Sequence, residues 1–329
     1  MRTNQAMRRR LIHLLVAVGA TLTLAAPAAA LDYPNKPVRI VVHSSPGGQL
    51  DVTTRQVAQQ MSEILGQPFV VENRPGADGL VGIRYVKTVP ADGYTLLAAA
   101  STIAIQPAVK LTPGYDLEKD FTGIGPMVRL PFLVMTAADK PFRTFGEYLT
   151  AAKAAPGKVS FASGGNGSTS HLGVALLMQQ AGIDLLHVPY KGNAAAMPDL
   201  LAGRVDMLLE AYGSGGAQVR SGRVRALAVT SAKRLAVLPD VPTVAEQGAP
   251  GYSYDLWLGL LAPAGTPADV VKRLSDALRT VLTSKRMTER FAADGAEGMV
   301  MTPQEYNDLL RKDLALMNRL ISSLGLPKE

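Results

Sequence analysis

The chain has 329 residues, 47% of them hydrophobic, with 34 Lys plus Arg against 27 Asp plus Glu and no Cys. This composition, with a mean hydropathy of +0.11, excludes low-complexity disorder, and the lack of Cys excludes a disulfide scaffold, a thiolate metal site and a lipoprotein anchor. A single core stops growing at roughly 250–300 residues, so the length favours two lobes over one.

Residues 1–30 read as an export signal. Arg2, Arg8, Arg9 and Arg10 form a basic start, Leu11 to Ala25 is an uncharged apolar run, and Pro27 followed by Ala28, Ala29 and Ala30 supplies the small residues of a cleavage site. Cleavage is expected after Ala30. An uncleaved anchor over Leu11 to Ala30 is the alternative, and His13, Pro27 and the alanine-rich end weigh against it. The run Arg8-Arg9-Arg10-Leu11-Ile12 also fits a loose twin-arginine pattern, which leaves the export route open. All four basic residues of this segment are lost on cleavage, so the remainder is only slightly cationic. It has no Lys/Arg cluster interleaved with aromatics and no further membrane-length apolar run. The expectation is a soluble, exported protein that binds no nucleic acid.

Val38 to Val42 reads as a buried strand, His43-Ser44-Ser45-Pro46-Gly47-Gly48 as a tight loop, and Val57, Ala58, Met61, Ile64 and Leu65 as one face of a helix stopped by Gly66. Pro68 to Val71 is the next strand, followed by the turn Asn73-Arg74-Pro75-Gly76. Tyr94 to Ala99 reads as a buried strand. The β-loop-α-β unit then repeats, with Lys158 to Ala162 as strand, Ser163 to Ser168 as Gly-rich loop, Thr169 to Ala181 as helix and Leu185 to Pro189 as second strand. Val205 to Leu209 and Arg225 to Val229 continue the alternation, which predicts α/β lobes with mainly parallel sheets. Thr144 to Glu147 and Thr243 to Glu246 read as capping boxes, and Thr266-Pro267 and Thr302-Pro303 as caps before a first-turn proline. Two amphipathic helices close the chain, one carrying Val270, Leu274, Leu278 and Val281, the other Tyr306, Leu310, Leu314, Met317 and Ile321.

A Gly-rich loop that runs from a strand into a helix offers free N–H groups at the positive end of the helix dipole, and this chain has two such anion sites. In open sheets ligands bind beyond the carboxyl ends of strands, so two facing lobes would aim both loops into one cleft. Neither loop is a dinucleotide fingerprint or a Walker motif, no nucleophile elbow surrounds Ser168 or Ser214, and His43, His171 and His187 lack metal-ligand spacing. Ser168 or Ser170 beside His171 is adjacency and not a triad. His187, inside an apolar run, reads as a satisfied core histidine. The reading is a binding protein and not an enzyme.

Several segments resemble the Bug family of periplasmic solute-binding proteins, the receptors related to tripartite tricarboxylate transporters. They are Tyr33-Pro34, Pro46-Gly47-Gly48 with Asp51, Val71 to Ala77 (VENRPGA), Ala91 to Leu97 (ADGYTLL), Gly165-Asn166-Gly167 with His171-Leu172, His187 to Gly192 (HVPYKG), Leu238 to Glu246 and Leu261 to Pro267. They run through nearly all of the chain after the signal, in the family's order. The resemblance implies an α/β, type II periplasmic-binding-protein fold: two α/β lobes, a ligand cleft between them, and two crossing segments, near Met127 to Met135 and near Tyr252 to Leu260. Residues 31–130 and 255–329 would form one lobe and 131–254 the other. It further implies a small organic acid held by loop amides, hydroxyls and bridging water without an arginine clamp, which carries over to Gly47, Gly48, Gly165, Asn166, Gly167, Ser168 and Thr169. Ser101 and Thr102 stand in the family's third cleft loop, Tyr190 lies in its Tyr-Lys-Gly turn, and Trp257 falls where it often has a hinge-side aromatic. Ser44, Ser45, Gln49 and Leu50 depart from its common residues, and Glu210 replaces its common cleft Asp, so no particular substrate transfers. The candidate ligand set is Ser44, Ser45, Gly47, Gly48, Asp51, Ser101, Thr102, Gly165, Asn166, Gly167, Ser168, Thr169, Tyr190 and Glu210, with no catalytic residue, metal or cofactor. The implied partner is a membrane permease of the tripartite tricarboxylate type, the alternative a membrane sensor histidine kinase served by the same cleft, and the implied state a periplasmic monomer.

Overall fold

The computed structural model describes residues 32–328, so the signal segment and its cleavage site lie outside the described residues. The strands are β1 (Val38–Val42), β2 (Phe69–Asn73), β3 (Thr95–Ala100), β4 (Phe121–Ala137), β5 (Ser160–Ser163), β6 (Leu186–Pro189), β7 (Met207–Ala211), β8 (Val224–Val229), β9 (Asp255–Pro263) and β10 (Glu297–Gly298). The helices are α1 (Gln49–Leu65), α2 (Leu80–Lys87), α3 (Thr102–Val109), α4 (Phe145–Ala154), α5 (Thr169–Ala181), α6 (Asn193–Leu201), α7 (Tyr212–Arg220), α8 (Ala268–Thr283), α9 (Lys285–Ala293) and α10 (Pro303–Ser323).

β1 is a β-branched run whose Val38, Ile40, Val41 and Val42 are fully buried, and it runs parallel to β2 and β3 on either side. β3 pairs antiparallel with β9 from Leu97↔Leu261 to Ala100↔Leu258, and β9 pairs antiparallel with the first part of β4 from Phe121↔Pro263 to Pro131↔Asp255. At the next residue β4 changes partners: Phe132 lies opposite Ala211 of β7, and Leu133 opposite Val229 of β8. Beyond β7 come β5 and β6, both parallel. The one strand therefore belongs to two sheets, which makes the molecule two-lobed.

The expectation of mainly parallel sheets fails. Among the described residues the parallel pairings are β1–β2, β1–β3, β5–β6 and β5–β7, against antiparallel β3–β9, β4–β7, β4–β8, β4–β9 and β4–β10. The long crossing strands β4 and β9 run opposite to every neighbour, and such pairs need no crossover helix. Three predicted caps also differ. Thr144 caps α4, but Glu147 accepts from the Arg143 amide at 2.6 Å and not from that of Thr144, so the expected box is only half formed. Thr243 and Glu246 exchange side-chain-to-amide bonds of 3.1 and 2.8 Å, yet only one 3₁₀ turn follows, because Gly248 at φ +119° ends it. Thr266 donates to the Pro263 carbonyl at 2.8 Å and leaves α8 without a side-chain cap. Thr302 and Glu305 form the full reciprocal box.

The crossing is braced by aromatic packing. Phe132 stacks on Tyr254 with centroids 6.0 Å apart, and Trp257 meets Tyr306 edge-on at 5.4 Å while donating to Asp313 Oδ2 at 2.5 Å. Among the described residues no helix is long and apolar enough to cross a membrane.

Candidate functional site: two glycine loops and the cavity between lobes

The first loop leaves β1 at His43 and enters α1 after Gly48. His43 is buried, its Nε2 accepts from the Ala100 amide at 3.3 Å, and burial pushes its ring pKa down to about 4, so it ties the ends of β1 and β3 together as a neutral group. Gly79 is required beside it: a Cβ there would lie 2.4 Å from His43 Nδ1, and the residue sits at φ +93°. Asp51, in the first turn of α1, organises the loop. Its carboxylate accepts from the Gly47 amide at 2.9 Å, from Arg55 Nε at 3.0 Å and from Asn73 Nδ2 at 2.9 Å, and Asn73 also donates to the Ser44 carbonyl at 3.1 Å. Burial pushes this carboxyl up, but the bonds from Arg55, Gly47 and Asn73 outweigh it and hold the group below its ordinary range. Asp51 is thus a structural member of the loop. Ser44 Oγ is buried and has no hydrogen-bond partner.

The second loop runs from Ser163 to Ser168 and is built without charge. The Gly164 amide donates to Ser170 Oγ at 3.0 Å, that of Gly165 to Ser163 Oγ at 3.1 Å, and that of Gly167 to His171 Nδ1 at 3.0 Å. Gly165 and Gly167 sit at φ +117° and +71°, where glycine alone is unstrained. Ser168 caps α5 by accepting from the His171 amide, and α5 has no acidic residue in its first turn. Among the described residues the amides of Asn166, Thr169 and Ser170 have no acceptor. They are open donors at a helix N terminus, where an anion is favoured.

A cavity of about 450 Å³ lies against this loop, lined by Asn166, Gly167, Ser168 and Thr169 on one side, by Thr102, Ile105, Gln106, Val109 and Lys110 on the other, and by Asp78, Leu326 and Pro327. Of the sequence-predicted set it brings together Thr102, Asn166, Gly167, Ser168 and Thr169. Gly165 belongs to the same loop, behind the lining. Ser44, Ser45, Gly47, Gly48 and Asp51 belong to the first loop and do not line it. The first residue of α1 reaches the corner between β7 and α7, where a Cβ on Gly213 would lie 3.5 Å from Gln49 Oε1.

The remaining members have other surroundings. Ser101 lines a separate cavity of about 70 Å³ with Asp255, Asp313 and Ser253, beside the crossing. Tyr190 donates its hydroxyl to Asp199 Oδ2 at 2.6 Å. Glu210 is buried, accepts from Ser214 Oγ and from the Ala211 amide, and has its carboxyl pushed up by burial. His187 is half-buried, with its Nε2 2.6 Å from Ser163 Oγ. Trp257 is buried in the core.

Sequence reasoning missed the α3 face beyond Thr102, as well as Asp78 and the C-terminal residues. Thr102, Ile105, Gln106, Val109 and Lys110 follow helical spacing, but Pro107 inside α3 masks the signal. Lys110 pairs with Asp78 at 3.3 Å, while the Gln106 Oε1 is buried without a partner. Among the described residues no group of three or more His, Asp or Glu is placed to hold a metal ion.

A family model described as the tripartite tricarboxylate transporter family receptor matches residues 53–326. Protein BugT of Bordetella pertussis is 34% identical over 317 residues, covering 95% of this chain and 97% of that protein. The solved structure of R. palustris Rpa4515 with adipate superposes with a TM-score of 0.75 at 32% identity, covering 91% of this chain and all of that one. MatC from Rhodopseudomonas palustris with bound malate gives a TM-score of 0.70 at 28% identity, covering 88% of this chain and all of that one.

Proposed function

The chain belongs to the tripartite tricarboxylate transporter receptor family, a family of solute-binding receptors, and from that premise we propose that it captures a small organic carboxylate between its lobes for a membrane permease. The observation that carries this reading is the open N terminus of α5: the amides of Asn166 and Thr169, two residues that line a cavity whose other wall is α3, are unbonded, as is that of Ser170 next in the turn. A carboxylate there accepts from backbone donors and from the hydroxyls of Thr102 and Thr169, and its body lies against Ile105, Val109 and Leu326. Lys110, the cation of the lining, pairs with Asp78, and no Arg is among the lining residues, so this mode uses no guanidinium clamp. Gln106 Oε1, on the α3 wall, is a buried acceptor of the lining left for a bridging water or a hydroxyl of the ligand. Adipate and malate in the similar structures are acids of this class. The family's description as a transporter receptor favours a permease over a sensor kinase as partner.

The lobes divide, in this proposal, into residues 31–130 with 255–329 and residues 131–254. The change of partners along β4 between Pro131 and Phe132 supports that division, as does Tyr254, whose amide donates to the Thr230 carbonyl just before β9 begins. A ligand that touches both lobes favours the closed arrangement by its differential affinity. Export with cleavage after Ala30 would deliver a monomer beginning at Leu31 to the periplasm, and intact mass of periplasmic material checks it. The test of function is a thermal-shift screen of that protein against mono-, di- and tricarboxylates. A ligand at 100 times its dissociation constant adds about 2.7 kcal/mol of stability, and a panel in which no acid moves the transition contradicts the reading.

A further inference from the structure

The second loop is held by two imidazoles from different elements. His171, in the first turn of α5, turns its Nδ1 to the Gly167 amide. A ring nitrogen that accepts carries no proton, so His171 is the neutral tautomer with its hydrogen on Nε2. His187, on β6, reaches Ser163 Oγ, which also contacts the amide and the carbonyl of Gly165 at 3.1 and 3.2 Å. The arrangement that satisfies all three contacts has His187 Nε2–H donating to Ser163, and Ser163 donating to the Gly165 carbonyl while accepting from its amide. The two rings stack face to face, with centroids 4.0 Å apart and planes 8° from parallel, and Phe161 stacks on His187 at 4.7 Å. Two cations cannot share such a stack, and burial with the neighbouring ring lowers the His171 pKa to about 4.

Each imidazole thus fixes one of the two glycines with positive φ. Between them lies Asn166, and just beyond them the open amides of α5.

We propose that His171 and His187 form a neutral positioning pair for the ligand loop: His171 Nδ1 orients Gly167, His187 through Ser163 orients Gly165, and their stacking locks both. This rests on the carboxylate reading above. Neither ring touches the ligand. The pair has two consequences for binding: the loop is pre-shaped before the ligand arrives, and no charge of its own competes for the anion.

The test has one arm that needs no ligand. Long-range proton–nitrogen spectra of the ¹⁵N-labelled protein at pH 7 should show His171 with Nδ1 unprotonated and Nε2 protonated. A proton on Nδ1, or a cationic ring, overturns the proposal. In the second arm adipate and malate are titrated into His171→Asn, whose Oδ1 stands near the position of Nδ1, and into His171→Leu, which has no acceptor. The Asn variant should bind within about threefold of wild type and the Leu variant roughly tenfold more weakly, since the Gly167 amide then has no partner. Equal affinity of the two variants overturns the proposal, because a purely structural histidine would lower the melting temperature without separating Asn from Leu. If the Leu variant does not fold, His187→Phe keeps the stack and loses the bond to Ser163, and it should bind roughly tenfold more weakly. Wild-type affinity there has the same overturning force. If neither acid binds the wild-type protein, the carboxylate reading fails for these probes, and the tautomer alone decides the pair.

Discussion

The two glycine loops look alike in sequence and differ in charge. At the first, Asp51 places a carboxylate in the opening turn of α1 and takes the Gly47 amide, so the positive end of that helix already faces an anion of the chain's own. At the second, serines and imidazoles hold the glycine amides, and the first turn of α5 has no acidic residue. A strand–Gly loop–helix unit is therefore an anion site only where the chain has not filled it itself. In the proposed mode the second loop holds the carboxylate, while the first, which does not line the cavity, is held by its own anion.

Removing the internal anion gives the largest expected effect. Asp51→Ala leaves the Gly47 amide and Asn73 without their acceptor and should lower stability by about 2–3 kcal/mol, read as a fall in melting temperature. Carboxylate affinity should fall far less than stability. Strong loss of affinity in a folded Asp51→Ala protein would make the loops equivalent and break the contrast.

Thr169→Ala is the counterpart at the second loop. It removes the hydroxyl of a residue that lines the cavity, and since a hydrogen bond to a charged group is worth about 1.5–3 kcal/mol, binding should weaken ten- to a hundredfold while the melting temperature barely moves. Gly47→Val, in contrast, places a β-branched residue at φ +80°, although a Cβ there meets nothing within 4 Å. Its effect should appear in stability before affinity. Calorimetric titration beside thermal melts separates the two outcomes.

Acid should distinguish the loops by a smaller margin. The folded pKa of His171 is about 4 against an ordinary value of 6.5, so the stability that its neutral form contributes is whole above pH 6.5 and is lost as pH falls toward 4. Asp51 is shifted below its ordinary value of 3.8, so its contribution is whole above that pH and is lost only below it. The melting-temperature difference between wild type and His171→Asn should therefore shrink between pH 6.5 and 4, and that between wild type and Asp51→Asn should hold until the pH passes below about 3.8. Coincident profiles would erase the distinction.

Local pattern made much of this architecture readable. Val38–Val42 and Thr169–Ala181 are the predicted strand and helix residue for residue, because a β-branched run and a Ser-capped, Gly-stopped stretch are both governed by nearby atoms. α7 was illegible, since Gly213, Gly215 and Gly216 argue against a helix. Packing overrides propensity there: a Cβ on Gly216 would lie 3.0 Å from the Tyr212 ring, and one on Gly215 3.0 Å from Met135 Sδ. At the site, residues 166 to 169 could be read from loop chemistry, whereas Thr102 came only from the family resemblance. Gln106 sits one residue before a proline, and Leu326 comes to the cavity from the far end of the chain, a contact no local window contains. The family resemblance singled out Asp51, but not as the internal anion of the first loop, because its partner Asn73 is 22 residues away.

Backbone amide shifts on addition of the acid that gives the largest thermal stabilisation test the division of labour most directly. The resonances of Asn166, Thr169 and Ser170 should move most and in proportion to occupancy, while the Gly47 amide keeps the position set by its bond to Asp51. Shifts centred on residues 47 to 50, with 166 to 170 unmoved, would contradict it.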